Sequence, residues 1–254
     1  MPQPEKRKVY ALFIGINNYR TDLVINGVYF PQLSGCVNDA SSLHAFLLKD
    51  KSLDLHALSL HNSEATKTAI VAAFRQHLSI AKATDAVLIY YSGHGTTEAA
   101  DPAIWHEEAD GRLEAIVCHY DHTHSPGFLL TDKELRFLLH ELYEKTGAHI
   151  VTIFDCCHSG DNTRALAEPD IVEKRVDTVF PQRQWEEFLF SGQTGKNELL
   201  TKSLSEVLPQ GAHVQLAASE SDEPAVEYRG RGAFTRYLLD ALRFSQGRIS
   251  YRDL

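Results

Sequence analysis

Cysteine, methionine and tryptophan are scarce: four, one and two in 254 residues. Cys36, Cys118, Cys156 and Cys157 show no disulfide-framework spacing, and a vicinal pair such as Cys156-Cys157 rarely closes on itself. Thiols in a reducing, cytoplasmic compartment are therefore the expectation. No apolar run approaches the ~20 residues a membrane helix needs, and the polar start through Lys8 has no signal-peptide pattern. Positive charge is also short: 25 Lys and Arg stand against 34 Asp and Glu, for a net charge of -9 and a pI near 5.8. That balance argues against nucleic acid as a partner. Repeats, low-complexity tracts and a clear interdomain linker are all missing. What remains is an ordinary soluble composition, 43% hydrophobic and 23% charged, long enough for one large domain.

Apolar runs alternate with helical patterns. Lys8 to Asn17, Leu53 to Leu60, Ala86 to Tyr91, Leu113 to Cys118, His149 to Phe154 and His213 to Ala218 read as six strands. A helix is expected after Asn38 or Asp39, either of which could cap it, running through Leu48. A second spans Thr66 to Ile80 with Asn62 or Ser63 as cap. A third opens at Thr131 with Glu134 in capping-box spacing and stops at Gly147. A last helix covers Ala233 to Phe244. Alternation of this kind predicts an α/β fold, a mainly parallel six-stranded sheet with helices on both faces. Residues 161–205 are polar and weakly periodic, with Pro169 and Pro181, and read as a long surface loop with at most one helix.

Two strands end in polar clusters, and the carboxyl ends of strands are where open α/β sheets bind ligands. One end delivers Ser92-Gly93-His94-Gly95, the other Asp155-Cys156-Cys157-His158-Ser159-Gly160. A thiol needs a base beside it to act as a nucleophile near neutral pH, and imidazole is the usual partner. His94 and Cys157 are the candidate base and nucleophile, with the Gly95 and Cys157 amides as candidate oxyanion donors. The run Cys118-His119-Tyr120-Asp121-His122-Thr123-His124 is too tightly spaced for a familiar zinc pattern and reads as a polar loop.

The pair YYSGHG and IFDCCHSG, with GINNY, LSGCVNDA, AASESDEPAVE and GAFTRYLLDAL, resembles the caspase-like cysteine peptidases, specifically the metacaspase and bacterial caspase-like branch. The resemblance covers roughly residues 8–244 and implies one caspase-like domain. It has a large-subunit-like part (1–160), a candidate intersubunit loop (161–205) and a small-subunit-like part (206–254), whose abrupt stop reads as a cut from a longer protein. The resemblance places the nucleophile at the second cysteine of the pair, and it implies an acidic specificity pocket formed by Asp155, Asp39, Cys36 and Ser92. Two carboxylates there would receive a guanidinium or ammonium, so protein substrates with exposed Arg or Lys are expected, with an activating sensor or regulatory protein as a further partner.

Many metacaspases use calcium, held partly by an aspartate seven positions after the nucleophile. Here that position is Arg164, with Asp161 nearby, while Asp132 matches another ligand but equally suits a helix N-terminus; calcium is thus doubtful and no cofactor is the expectation. Arg164, Lys174-Arg175, Arg183, Lys196 and Lys202 make the 161–205 segment a candidate for self-cleavage. The competing readings are a catalytically silent interaction module and a zinc hydrolase built on the histidine cluster.

Overall fold

The structure is a computed structural model that describes residues 6–20, 24–25, 28–120, 127–157, 170–218 and 224–254. Its centre is a sheet of five parallel strands in the order β12-β9-β5-β1-β4. These are β1 (Arg7–Gly15), β4 (Leu53–His61), β5 (Ala86–Ser92), β9 (His149–Asp155) and β12 (His213–Ala217). β1 lies in the interior of the sheet and is buried continuously from Val9 to Gly15. A strand covered on both faces needs no polar alternation, which is why its sequence shows none.

Helices cover both faces. On one side α1 (Cys36–Leu48) and α6 (Ala233–Phe244) place Ala40, Leu43, Leu238 and Leu239 against Ala11, Phe13, Tyr90 and Ile153. On the other, α2 (Lys67–Ala72), the irregular turns that continue it to Ile80, and α3 (Asp132–Thr146) pack on Tyr10, Leu12, Val87, Ile89 and Ile150. Thr131 caps α3 through a capping box with Glu134, and Gly147 ends it at φ +59°, a left-handed turn that costs glycine little.

The sixth expected strand lies elsewhere. β7 (Arg112–Val117) pairs antiparallel with β6 (Gly95–Ala99), in a four-stranded sheet ordered β11-β6-β7-β8 with β8 (Leu129–Thr131) and β11 (Arg175–Phe180). β6 follows β5 after only two residues and leads to β7 through a helix-free connection, so β7 joins it as an antiparallel neighbour and not as a crossover strand. A three-stranded sheet, ordered β10-β13-β14, joins β10 (Ile171–Glu173), β13 (Val226–Tyr228) and β14 (Arg231–Gly232). β2 (Val24–Ile25) and β3 (Val28–Tyr29) pair antiparallel. Two short helices, α4 (Lys196–Leu199) and α5 (Leu204–Val207), complete the described elements.

Three local expectations are corrected. α1 starts at Cys36 with Gly35 as its cap residue, not at Asn38 or Asp39. The carboxylate of distant Glu227 does the capping, accepting from Ser34 N, Ser34 Oγ and Gly35 N, each at 2.8 Å. α2 is capped by Thr66, whose Oγ1 accepts from Ala69 N at 3.1 Å, and not by Asn62 or Ser63. The described part of 161–205 is no surface loop. Trp185, Phe188, Phe190, Leu199 and Leu204 are buried there with Trp105 and Phe137. Their spacing follows tight turns, so no helical or strand period marks them in the sequence.

Candidate active site

β5 and β9 are neighbours in the sheet, with Ser92 opposite Asp155 at their carboxyl ends. The chain beyond Ser92 turns through Gly93 to His94, and the chain beyond Asp155 reaches Cys156 and Cys157. A Cβ on Gly93 would stand 2.5 Å from Tyr91 Oη and 2.7 Å from Tyr19 Oη, so only glycine fits this turn. Those two tyrosines hold the His94 backbone: Tyr19 Oη accepts from His94 N at 2.8 Å, and Tyr91 Oη donates to His94 O at 2.7 Å.

The imidazole is buried. Its Nε2 lies 2.8 Å from the Pro31 carbonyl, which only accepts, so Nε2 carries the proton. Nδ1 is then a bare lone pair, buried and with no hydrogen-bond partner. Burial pulls His94 down to about 4; the Pro31 bond opposes this and the Lys174 charge adds to it. The ring is neutral at pH 7.

Lys174, in the bend between β10 and β11, enters this site. Its carbonyl oxygen accepts from Gly95 N at 3.0 Å and from Cys157 N at 3.2 Å, and its own N–H donates to Ala225 O at 2.9 Å. Its ammonium, wholly buried, lies 2.9 Å from Asp155 Oδ2, 3.2 Å from Asp39 Oδ2 and 3.0 Å from Ser92 Oγ. Burial alone would lower the Lys174 pKa, but the charges of Asp155 and Asp39 outweigh it and hold the ammonium protonated. Asp39 is itself raised, by burial first, with Lys174 opposing and Asp155 adding. Burial also takes the Cys36 thiol to about 12, so it stays a neutral wall of the same pocket.

The strands on either side of Lys174 are paired. β10 runs antiparallel to β13, Glu173 opposite Val226, and β11 starts parallel to β6 with Arg175 opposite Gly95. The Ala225 amide points at Cys157 Sγ. Cys156 is buried and its thiol raised, by burial first and then by the neighbouring Cys157 and Asp155. No disulfide joins the four cysteines, all of which are buried.

All seven residues named from the sequence thus gather around one lysine, which the sequence marked only as one of several basic residues in a polar segment. Other residues of the site were missed. Pro31 fixes the imidazole tautomer. Gly232 N donates to Asp39 Oδ2 at 2.8 Å, Thr235 Oγ1 donates to Asp155 Oδ2 at 2.5 Å, and Glu227 caps the helix carrying Asp39. For the last three, the only sequence signal was their place in AASESDEPAVE and GAFTRYLLDAL, motifs that carried the resemblance and no assigned role.

Asp132 Oδ1 is buried and has no hydrogen-bond partner. Asp132 Oδ2 is paired with Lys133 Nζ at 2.5 Å, and the same ammonium contacts Glu108. Burial raises Asp132 to about 6, partly offset by Lys133. Asp161, Arg164, His158, His122 and His124 lie outside the described residues. Among those described, no group of three or more His, Cys, Asp or Glu is arranged to hold a metal ion, and no helix is long and apolar enough to cross a membrane.

A crystal structure of a Geobacter sulfurreducens protein superposes with a TM-score of 0.64 at 20% identity, over 96% of this chain and 85% of that one. Similarity in sequence extends to metacaspase III c of Phaeodactylum tricornutum (30% identity over 155 residues, 59% of this chain and 42% of the relative). It extends also to metacaspase-2 of Trypanosoma brucei brucei (31% over 163 residues, 61% and 42%) and metacaspase-1 of Schizosaccharomyces pombe (32% over 166 residues, 61% and 34%). The chain therefore spans 34% to 42% of the length of these relatives. The family model for the metacaspase, peptidase C14 domain matches residues 8–165, and the chain belongs to that family.

Proposed function

We propose that this chain is a cysteine endopeptidase that cuts proteins after Lys or Arg, with Cys157 as nucleophile and His94 as base. The observation that carries the reading is Lys174, which lies in the site as a substrate would. Its ammonium is between two carboxylates, its carbonyl oxygen accepts from two amides, and its carbonyl carbon belongs to the Lys174–Arg175 peptide bond.

In the reaction His94 Nδ1 takes the Cys157 proton, and the thiolate attacks the carbonyl carbon of the residue held in the acidic pocket. The Gly95 and Cys157 amides receive the developing oxyanion, for which fixed donors in a dry site are worth most. His94 then protonates the leaving amine, and water hydrolyses the thioester. The Pro31 carbonyl keeps Nε2 protonated throughout and so leaves Nδ1 as the lone pair that accepts the proton.

By the same reading Lys174–Arg175 is the internal bond this enzyme cuts, and until it is cut or displaced the segment keeps substrates out. Regulation by release of the segment, by a sensor or other partner in the cytoplasm, follows from that block. This reading needs no calcium, since the Lys133 ammonium already pairs with Asp132 Oδ2. A silent interaction module is the competing reading; it leaves the aligned carbonyl, amides and bare Nδ1 without a purpose.

The test is a panel of fluorogenic peptides varying the residue before the cut, run with calcium and with chelator. Cleavage after Arg and Lys, unchanged by chelation, is expected. Efficient cleavage after Asp, or none after either basic residue, would overturn the specificity.

A further inference from the structure

We infer that the site makes the Lys174–Arg175 bond as well as breaking it, so that the chain reseals its own cut. Resealing rests on the self-cleavage proposed above and goes beyond it, from hydrolysis to amide synthesis. The reason lies in which half of the chain holds each new end. β10 ends the upstream fragment, yet its partner β13 belongs to the downstream one, with Ile171 opposite Tyr228 and Glu173 opposite Val226. β11 begins the downstream fragment, yet its partner β6 belongs to the upstream one. A cut therefore releases neither end.

The downstream end is held closely. Arg175 stands opposite Gly95, and the register then slips before Val179 meets Thr97. Thr96 spans the slip, its Oγ1 lying 3.1 Å from the carbonyl oxygens of both Val176 and Thr178. Val176 and Phe180 are buried in the core. Across the bond itself, Arg175 Nε pairs with Glu173 Oε2 at 3.0 Å.

When the thioester forms, the carbonyl carbon of Lys174 exchanges its bond to the Arg175 nitrogen for one to Cys157 Sγ, and His94 gives that nitrogen a proton. An ordinary leaving peptide then diffuses away. Here the amine stays where it was made. Its attack on the thioester forms the C–N bond again, passes a proton to His94 and expels the Cys157 thiolate. Water attack instead leaves a Lys174 carboxyl group; the reverse of that step, with loss of one water, regenerates the thioester. Well-oriented intramolecular nucleophiles reach effective molarities of about 10⁵ M and above, beyond anything solvent water offers. Cutting also gains little chain freedom while both ends stay paired, so cut and intact chains coexist. Only peeling β11 from β6, or β10 from β13, makes the cut permanent.

The full chain is incubated in heavy-oxygen water, and the peptide spanning Lys174 and Arg175 is taken from the chain that is still intact and weighed by mass spectrometry. Only a chain hydrolysed and joined again carries the label at the Lys174 carbonyl. Cutting should level off with intact chain left, labelled in the wild type and unlabelled in Cys157→Ala. Thr96→Val removes the donor that holds β11 and should lower the label about fivefold, as loss of one hydrogen bond implies. Thr96→Ser should keep it, and Arg175→Ala, without the ion pair across the bond, should lower it. An unchanged label in both Thr96→Val and Arg175→Ala overturns resealing by a held amine. Cutting that runs to completion, with label only at the new Lys174 carboxyl group, overturns it too and leaves cleavage standing. No cut in a chain that hydrolyses free peptides removes the bond assignment and resealing together; hydrolysis of neither removes the proposed function.

Discussion

The ammonium of Lys174 lies 2.9 Å from Asp155 Oδ2, and neither side chain reaches solvent. This pair joins the segment between the two halves of the chain to the strand that ends at the nucleophile. It also places the Lys174 carbonyl under the Gly95 and Cys157 amides.

Self-cleavage is therefore expected at one bond, Lys174–Arg175, and not at Lys196 or Lys202, whose side chains are about half exposed and far along the chain from the site. Intact-mass measurement after prolonged incubation should give two fragments that meet at this bond. Cys157→Ala should stay whole, and Lys174→Ala should lose the cut. Fragments bounded elsewhere, or a wild-type chain that cleaves peptides yet stays intact, would refute the assignment.

The two adjacent cysteines should separate cleanly. Cys157→Ala should lower kcat by several orders of magnitude, as removal of a nucleophile does. Cys156→Ala should keep most of the activity, because its raised, buried thiol packs in the apolar core. A dead Cys156→Ala that folds normally would reverse the assignment.

Acid should loosen the closed form. The His94 pKa is about 4 in the fold against an ordinary 6.5, so the unfolded chain binds the extra proton first. A base with a depressed pKa contributes stability above about 6.5, lost progressively as pH falls toward 4, in total about 3 kcal/mol. Urea denaturation of Cys157→Ala at pH 7.5 and 4.5 should show this loss, and His94→Asn in the same background should reduce it. An equal loss in both chains would mean that His94 does not carry it.

Arg183 is expected to be a structural anchor. Its guanidinium, almost wholly buried, pairs with Glu98 at 2.8 Å and Glu134 at 3.2 Å, while Lys67 holds Glu134 from the other side at 2.8 Å. Arg183→Met leaves a buried carboxylate uncompensated and should cost roughly 3–5 kcal/mol in a Cys157→Ala chain. The same network should keep the two fragments together after cleavage, which gel filtration of the cut protein would show as one peak. Separation of the fragments under native conditions would count against the anchor.

The sequence alone carried the parallel sheet and both motif-bearing strand ends, because a strand buried on both faces is written as one unbroken apolar run. His94 and Cys157 were legible for a related reason, since each follows the end of such a run, whereas Asp39, Ser92 and Asp155 were named only by the family resemblance. Tertiary structure decided everything that comes from far along the chain. Lys174 reads as one more solvated lysine in a polar stretch, and only pairing of β10 with β13 and of β11 with β6 brings it 2.9 Å from Asp155. Pro31, Glu227, Gly232 and Thr235 act through backbone groups or through hydrogen bonds to residues 63 to 193 positions away. Such contacts leave no periodicity and no local motif, since the chain must fold before the two partners are neighbours.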